Sequence, residues 1–203
     1  MHKTLLVASS SASRRVLLQT MRINFAIIKQ DADEHACDWS LPLETLVAVI
    51  AVHKMAHAQL PSNAQEGDVI FVLTADTLTQ DMTDVVHGKA TTIQEAVAQI
   101  KAQRAGSKVS TAFCLDKKIF TDGIWITQQQ IVQAVTATCI FDVPEAFLEK
   151  YLDYFSNLHS AGSIAVEEFG MQFLKDIQGS YSGLLGLPLF ELRQALETLG
   201  FYL

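Results

Sequence analysis

The chain has 203 residues and a mass of 22.4 kDa, and 49% of its residues are hydrophobic, which excludes intrinsic disorder. Its net charge of −7 disfavours a nucleic acid polymer as partner, because such proteins carry a basic stripe. The apolar runs at residues 4–8 and 46–52 are too short for a secretory leader or a membrane span. Three widely spaced cysteines show no disulfide or zinc pattern. We therefore expect one cytoplasmic domain over residues 1–203.

The first third of the chain predicts alternating strands and helices. Residues 3–8 are an apolar run typical of a buried strand. A serine-rich loop follows, and the apolar residues of 14–21 then recur with the spacing of a helix. Residues 25–28 predict a second short strand. Pro42 then begins a long helix over residues 42–59, with Lys54 close to its apolar face. This alternation favours an α/β fold.

The rest of the chain is richer in strands. Residues 69–73 are strongly β-forming and end just before Asp76, and a polar loop over 80–89 precedes a helix over 91–104. Further elements are predicted as antiparallel strands at 109–115 and 123–140, turning at 116–118 or 121–123, and helices at 144–154 and 189–199. The pattern predicts a mixed sheet flanked by helices, parallel at first and antiparallel later.

The loop at residues 9–14, Ser-Ser-Ser-Ala-Ser-Arg, connects a predicted strand to a predicted helix. Free backbone N–H groups at a helix start, together with hydroxyls and an arginine, suit phosphate binding. The loop lacks the glycines and the Gly-Lys-Ser/Thr of a Walker loop. A serine-rich N-cap beside a surface arginine explains the same residues equally well.

Carboxylates follow two of the predicted strands. Asp33 and Glu34 come after the second strand, and Asp76 comes after the strand at 69–73. Ligands of open α/β sheets bind beyond the carboxyl ends of the strands, where a carboxylate facing a phosphate suits Mg²⁺. A turn or N-cap at Asp76 and a solvated acidic loop at Asp33 and Glu34 are the alternatives.

Residues 179–188 contain three of the ten glycines and one of the four prolines. Such a stretch indicates unusual backbone geometry, or a close approach to a ligand or a second subunit. A structural loop before the last helix is the alternative.

Taken in order, these segments resemble the Maf family of nucleoside triphosphate pyrophosphatases. The resemblance covers nearly the whole chain, and the ordered set of motifs is far more specific than any one of them. The matching residues are 6–14, which correspond to L-A-S-x-S-P-R-R, then Asp33-Glu34, Lys54, 75–77, Gly88-Lys89, 179–182 and 186–189.

The resemblance implies hydrolysis of a nucleoside triphosphate to the monophosphate and pyrophosphate with Mg²⁺ or Mn²⁺. The substrates it implies are modified or non-standard nucleotides, or pyrimidine triphosphates. The implied fold is similar to that of inosine triphosphate pyrophosphatases: an elongated mixed sheet in two lobes with a central cleft, assembled as a homodimer.

Residue by residue, the resemblance also implies the site. Phosphate and substrate binding would fall to Ser9, Ser11, Arg14, Arg15 and Glu167. Lys54 and Lys89 would neutralise the triphosphate, while Glu34 and Asp76 would bind metal or activate water. Asp76 is the first choice for the base.

Three departures from the family pattern weaken this assignment. Ser13 stands where the family has the first of two arginines, Ser160 replaces a lysine, and Glu167 replaces a glutamine. Each charge-assisted contact that is lost costs on the order of 1.5–3 kcal/mol. Glu167 would read a different base edge or a cationic methylated base. The alternative function is therefore a catalytically degenerate Maf-like protein that binds a nucleotide or a protein partner in cell-division control.

Overall fold

The structure is a computed structural model that describes residues 3–155 and 160–202. In these two ranges, seven strands and six α-helices form an α/β architecture, and short 3-10 helices lie at Glu34–Ala36, Glu145–Phe147 and Glu168–Phe173. The strands are β1 (Leu5–Val7), β2 (Phe25–Ile27), β3 (Val69–Asp81), β4 (Val86–His87), β5 (Ser107–Thr121), β6 (Ile124–Phe141) and β7 (Leu174–Gln178). The helices are α1 (Ala12–Thr20), α2 (Leu43–Ala56), α3 (Ile93–Ala102), α4 (Leu148–Phe155), α5 (Tyr181–Leu184) and α6 (Leu189–Thr198). Within the described residues no helix is long and apolar enough to cross a bilayer.

The strands form one mixed sheet in the order β2-β1-β3-β5-β6-β7, with β4 paired to β3. β2, β1 and β3 are parallel, and all other pairs are antiparallel. The predicted fold class, a mixed sheet flanked by helices, is confirmed. The turn of the long hairpin lies at Asp122 and Gly123, where both residues have positive φ, so the alternative turn at 116–118 was wrong. At Lys117 and Lys118 the chain does not turn; β5 continues, and its pairing with β6 shifts register there.

β3 runs further than its sequence predicts. Residues 69–73 were expected to be the whole strand, but β3 continues to Asp81 and pairs with β5 along its full length. The threonines at 74, 77 and 79 are β-branched and support the extended backbone that this pairing requires. Asp76 therefore lies inside a strand instead of after one.

Two hydrophobic clusters pack on one face of the sheet and create the two lobes. The first joins β1, α1 and α6 to Phe71, Leu73 and Phe113. The second joins α3 and α4 to Val109 and the end of β6. Between them the same face of β3 carries Thr77, and a cleft of about 680 Å³ opens there.

A third cluster covers the opposite face, where α2 packs on β3 and β5 through Val47, Ile50, Val72 and Cys114. Because side chains alternate along a strand, even-numbered residues of β3 point toward α2 and odd-numbered ones toward the cleft between the lobes. β1 ends beside Leu73, and β4 first pairs at Thr79. Between these points the edge of β3 has no partner strand in the described part of the chain, and there Asp76 lines the cleft although it points toward α2.

Candidate active site in the cleft

The serine loop leaves the sheet at the end of β1 and enters α1. Ser11 is the N-cap of α1, and its Oγ accepts a hydrogen bond from the Arg14 backbone N–H at 3.4 Å. Ser9 Oγ accepts one from the Ser11 N–H at 3.3 Å. These bonds fold the loop so that its hydroxyls and the helix start face the cleft. The N-cap interpretation of the loop and the phosphate-binding one are thus compatible.

Arg14 is held by three acceptors from three segments of the chain. Its Nη1 donates to Ser9 Oγ at 3.2 Å, its Nη2 to Thr77 Oγ1 at 2.9 Å and its Nε to the Gly186 carbonyl at 2.8 Å. None of these acceptors is charged. Burial lowers the pKa of the guanidinium, while Asp76 and Glu34 attract its charge. The guanidinium of Arg14 is therefore fixed in place by neutral acceptors, and none of its three hydrogen bonds goes to a carboxylate.

Lys54 bridges the two predicted acidic residues at the floor of the cleft. Its Nζ lies 2.6 Å from Asp76 Oδ1 and 2.7 Å from Glu34 Oε1. Lys54 and Asp76 are only 6% and 5% exposed, which means that the ion pair is almost fully removed from water. α2 supplies the lysine, β3 one carboxylate and the 3-10 helix at Glu34–Ala36 the other. Three distant segments converge on one ammonium.

The two carboxylates have different proton affinities. Burial raises the pKa of the Asp76 carboxyl above its ordinary value and outweighs the attraction of Lys54 and Arg14. Burial acts in the same direction on Glu34, but Lys54, Lys89 and Arg14 together hold the pKa of Glu34 below its ordinary value. Asp76 is thus the stronger base of the two. Its Oδ2 is buried and has no hydrogen-bond partner.

Most of the residues predicted from the sequence line one recess beneath the larger cleft. The recess is bounded by Ser9, Ser11, Arg14, Glu34, Lys54 and Lys89. Lys89 is exposed, and the backbone around it pairs with the other lobe through a bridge to Ala161. Asp76 joins this group through Lys54. These polar side chains, which are far apart in sequence, therefore meet in one place, while their chemical roles stay predictions.

Glu167 and Arg15 lie further from this recess. Glu167 lines the larger cleft on the side of the second lobe, with Ser160 and Ile164. Arg15 is exposed on α1 and does not line the cleft, in contrast to Arg14 beside it. The structure shows no contact through which Arg15 replaces the arginine that is absent at Ser13.

Two groups that hold Arg14 lie in segments of the family match, 75–77 and 186–189, but no contact with Arg14 was predicted for either. Thr77 Oγ1 accepts the guanidinium and exchanges a 2.8 Å hydrogen bond with Thr111 Oγ1. The Gly186 carbonyl comes from the glycine-rich stretch, where φ of +106° turns the chain toward Arg14. The stretch had been recognised as a candidate for close approach, and what it approaches is the protein's own arginine.

The donor set fits a hard divalent cation in part. Within residues 3–155 and 160–202, no group of three or more His, Cys, Asp and Glu side chains is arranged to hold a metal. Mg²⁺, however, is usually bound by only one or two carboxylates, with waters and substrate phosphates completing its shell. The unpartnered Oδ2 of Asp76 and the neighbouring Glu34 supply such a pair.

Fold and site together define a two-lobed α/β protein in which a recess brings three cations together with the carboxylates of Glu34 and Asp76. The chain belongs to the Maf family, since the family model described as Maf-like protein matches residues 4–199. It is 31% identical over 199 residues to a nucleoside triphosphate pyrophosphatase of Corynebacterium glutamicum, covering 97% of this chain and 95% of that one. It is also 27% identical over 201 residues to a dTTP/UTP pyrophosphatase of Halalkalibacterium halodurans, covering 98% and 97% of the two chains. The resemblance read from the motifs is confirmed.

Proposed function

We propose that this protein hydrolyses a nucleoside triphosphate to the monophosphate and pyrophosphate. The observation that carries the proposal is the ammonium of Lys54, shared by Asp76 and Glu34 at the floor of a cleft whose rim carries Arg14 and Lys89. Membership of the Maf family, and relatives named as nucleoside triphosphate pyrophosphatases, support it. The alternative of a degenerate binding protein rests on the departures at Ser13, Ser160 and Glu167, and the assay described below decides between the two.

In this proposal the serine loop and Arg14 bind the phosphate chain. A phosphate oxygen near the start of α1 meets backbone N–H groups and the positive end of the helix. The guanidinium is held by neutral acceptors only, so its charge remains available to an anion. Lys89 at the opposite rim adds a second cation. Both charges would stabilise the pyrophosphate as the bond from the α-phosphorus to the bridging oxygen breaks.

We propose Asp76 as the base that accepts a proton from the attacking water. Its pKa is raised by burial, and its Oδ2 has no partner, so an acceptor is available. Lys54 holds the other oxygen at 2.6 Å and thereby fixes the direction of the carboxylate. Asp76 and Glu34 would together hold Mg²⁺ or Mn²⁺, which supplies charge neutralisation at the phosphates when bound.

Release of pyrophosphate from a panel of triphosphates tests the proposal. The panel includes dTTP and UTP, the other standard nucleotides and modified ones, each with Mg²⁺ and with Mn²⁺. Asp76→Asn should lower kcat by at least about a hundredfold, the usual contribution of a general base, and leave the fold intact. Asp116→Asn is the matched control, because Asp116 is a buried strand aspartate outside the cleft. Turnover of no triphosphate by the wild type would refute the proposal.

We also propose that the protein acts as a homodimer in the cytoplasm. β6 pairs with β7 only over residues 138–141, so its outer edge over residues 124–137 has no partner strand within the described part of the chain. Ile124, Ile126 and Val132 on this segment are exposed, and an open, uncharged edge favours pairing with a second copy. Three free cysteines agree with a reducing compartment. Light scattering of the purified protein, and fractionation of cells, test the two statements.

A further inference from the structure

Trp39 connects the segment that carries Glu34 with the segment that carries Lys89. It lies between the 3-10 helix Glu34–Ala36 and the start of α2, and it is partly buried against the hydrophobic cluster beneath α2. The sequence had given no reason to single it out. The indole donates a hydrogen bond at one end, stacks on the His35 ring with centroids 6.0 Å apart, and lies close to Gly88 at its far edge.

The first contact is polar and anchors Glu34. The indole Nε1 donates to the Glu34 carbonyl oxygen at 3.2 Å, and the Cys37 backbone N–H reaches the same oxygen at 3.3 Å. This carbonyl belongs to the residue whose carboxylate binds Lys54. Buried indole N–H groups usually find a partner, but this partner is the backbone of a residue in the proposed catalytic machinery.

The second contact is apolar and supports Lys89. A Cβ added at Gly88 would be in ordinary van der Waals contact with the indole, 3.7 Å from Cη2 of Trp39 and 3.8 Å from Leu78, so the far edge of the ring lies close to the Gly88 backbone with room for about one methyl group between them. The next residue is Lys89, and the Gly88 carbonyl accepts the Gly162 N–H of the other lobe at 2.9 Å. The rigid ring therefore limits how closely the Gly88–Lys89 segment can approach the segment that carries Glu34.

We propose that Trp39 is a positioning residue that sets the distance between Glu34 and Lys89 across the triphosphate site. It does not line the cleft, so it acts through the two segments beside it. This inference rests on the proposed hydrolysis. A merely structural tryptophan would stabilise the fold without setting the kinetics of the folded enzyme.

The chain offers a matched control in its other tryptophan. Trp125 Nε1 also donates to a backbone carbonyl, that of Pro61, at 2.9 Å, and the ring packs on Phe120 with centroids 5.2 Å apart. Neither contact involves a residue that lines the cleft. The same substitution at Trp39 and at Trp125 removes a comparable hydrogen bond and a comparable ring. We therefore expect a similar loss of folding stability from both, but a change at the triphosphate site only from Trp39.

Two variants at each tryptophan separate the two contacts. Trp39→Phe keeps a ring over Gly88 but loses the N–H, and we expect kcat to fall about fivefold with the KM for UTP within twofold, as about 1 kcal/mol of lost hydrogen bond implies. Trp39→Leu also loses the ring, and we expect KM to rise about fivefold as well. Trp125→Phe and Trp125→Leu should change neither constant by more than twofold, although all four variants melt earlier than the wild type.

Binding of the non-hydrolysable analogue α,β-imido-UTP, measured by calorimetry, distinguishes failure of this inference from failure of the proposed function. If the wild type binds the analogue but hydrolyses nothing, the hydrolytic function is wrong, and Trp39 is judged by the analogue's Kd, which Trp39→Leu should raise about fivefold. Normal constants in both Trp39 variants would overturn the inference. So would equal losses in the Trp125 variants, or a wild type that does not bind the analogue.

Discussion

Replacing Lys54 with methionine tests the electrostatics of the cleft floor most directly. The substitution keeps the apolar stem that packs in α2 but removes the ammonium that neutralises Asp76 and Glu34. Removing one partner of a buried pair and leaving the other charge uncompensated costs about 3–5 kcal/mol. For a chain of this size, each kcal/mol lowers Tm by about 2–4 °C, so we expect Tm to fall by roughly 6–20 °C.

The penalty should depend on pH with a defined sign. Burial raises the pKa of Asp76 in the folded protein, and losing the ammonium raises this pKa further. A group whose folded pKa exceeds its unfolded value of about 3.9 gives stability that is complete below that value. That stability is lost as pH rises toward the folded pKa. Lys54→Met should thus be more strongly destabilised at pH 8 than at pH 5, as measured by urea unfolding at both pH values.

A second substitution and a second lysine provide the controls. Asp76→Asn in the Lys54→Met background removes the more deeply buried of the two uncompensated carboxylates, and should recover most of the lost stability at pH 8. Lys118→Met should cost less, because its partner Asp116 also accepts hydrogen bonds from Thr127 and Gln130. A loss below about 1 kcal/mol at both pH values, or no recovery in the double variant, would refute the reasoning.

Two further predictions concern the neighbourhood of the cleft. Thr77→Val removes the hydroxyl that accepts Arg14, and we expect the KM for a triphosphate to rise about fivefold at constant kcat; an unchanged KM in the pyrophosphate assay would contradict this. At Asp81 burial acts to raise the pKa, but hydrogen bonds from Thr83 and His87 lower it to about 2. Because its folded pKa lies below the unfolded one, its stabilisation is present above about pH 4 and is lost as pH falls through 2. In Asp81→Asn the free energy of unfolding, followed by circular dichroism, should therefore fall less steeply between pH 4 and pH 2 than in the wild type. A decrease as steep as that of the wild type would contradict this prediction.

The order and type of most elements could be predicted from the sequence because local patterns determine them. Alternation of strand and helix, the helix at Pro42 and the Asp122-Gly123 turn all depend on neighbouring residues. The short strand β7 was missed, since Leu174–Gln178 has only five residues and follows a 3-10 helix with no periodic pattern. Its strand state comes from pairing with β6, a contact between distant parts of the chain.

The site was predictable as a set of residues but not as a geometry. The family motifs identified Asp76 and Lys54, and neither motif says that they form a buried pair at 2.6 Å. Asp76 was expected beyond a strand end, where it would be solvated, and its place inside β3 is what buries it. Trp39 and Thr77 act through partners far away in sequence. No local pattern therefore indicates Trp39, and the motif at 75–77 includes Thr77 without indicating that it holds Arg14.

The balance of charge in the recess has a consequence for the order in which ligands arrive. The recess has one more cation than carboxylates: Lys54, Arg14 and Lys89 against Glu34 and Asp76. The Lys54 ammonium lies between the two carboxylates, in the place where they would bind an incoming metal ion. In the proposed hydrolysis, a divalent cation that arrives alone would have to displace this ammonium against the charges of Arg14 and Lys89. We therefore expect the metal to enter together with the triphosphate, whose negative charge the three cations of the recess attract.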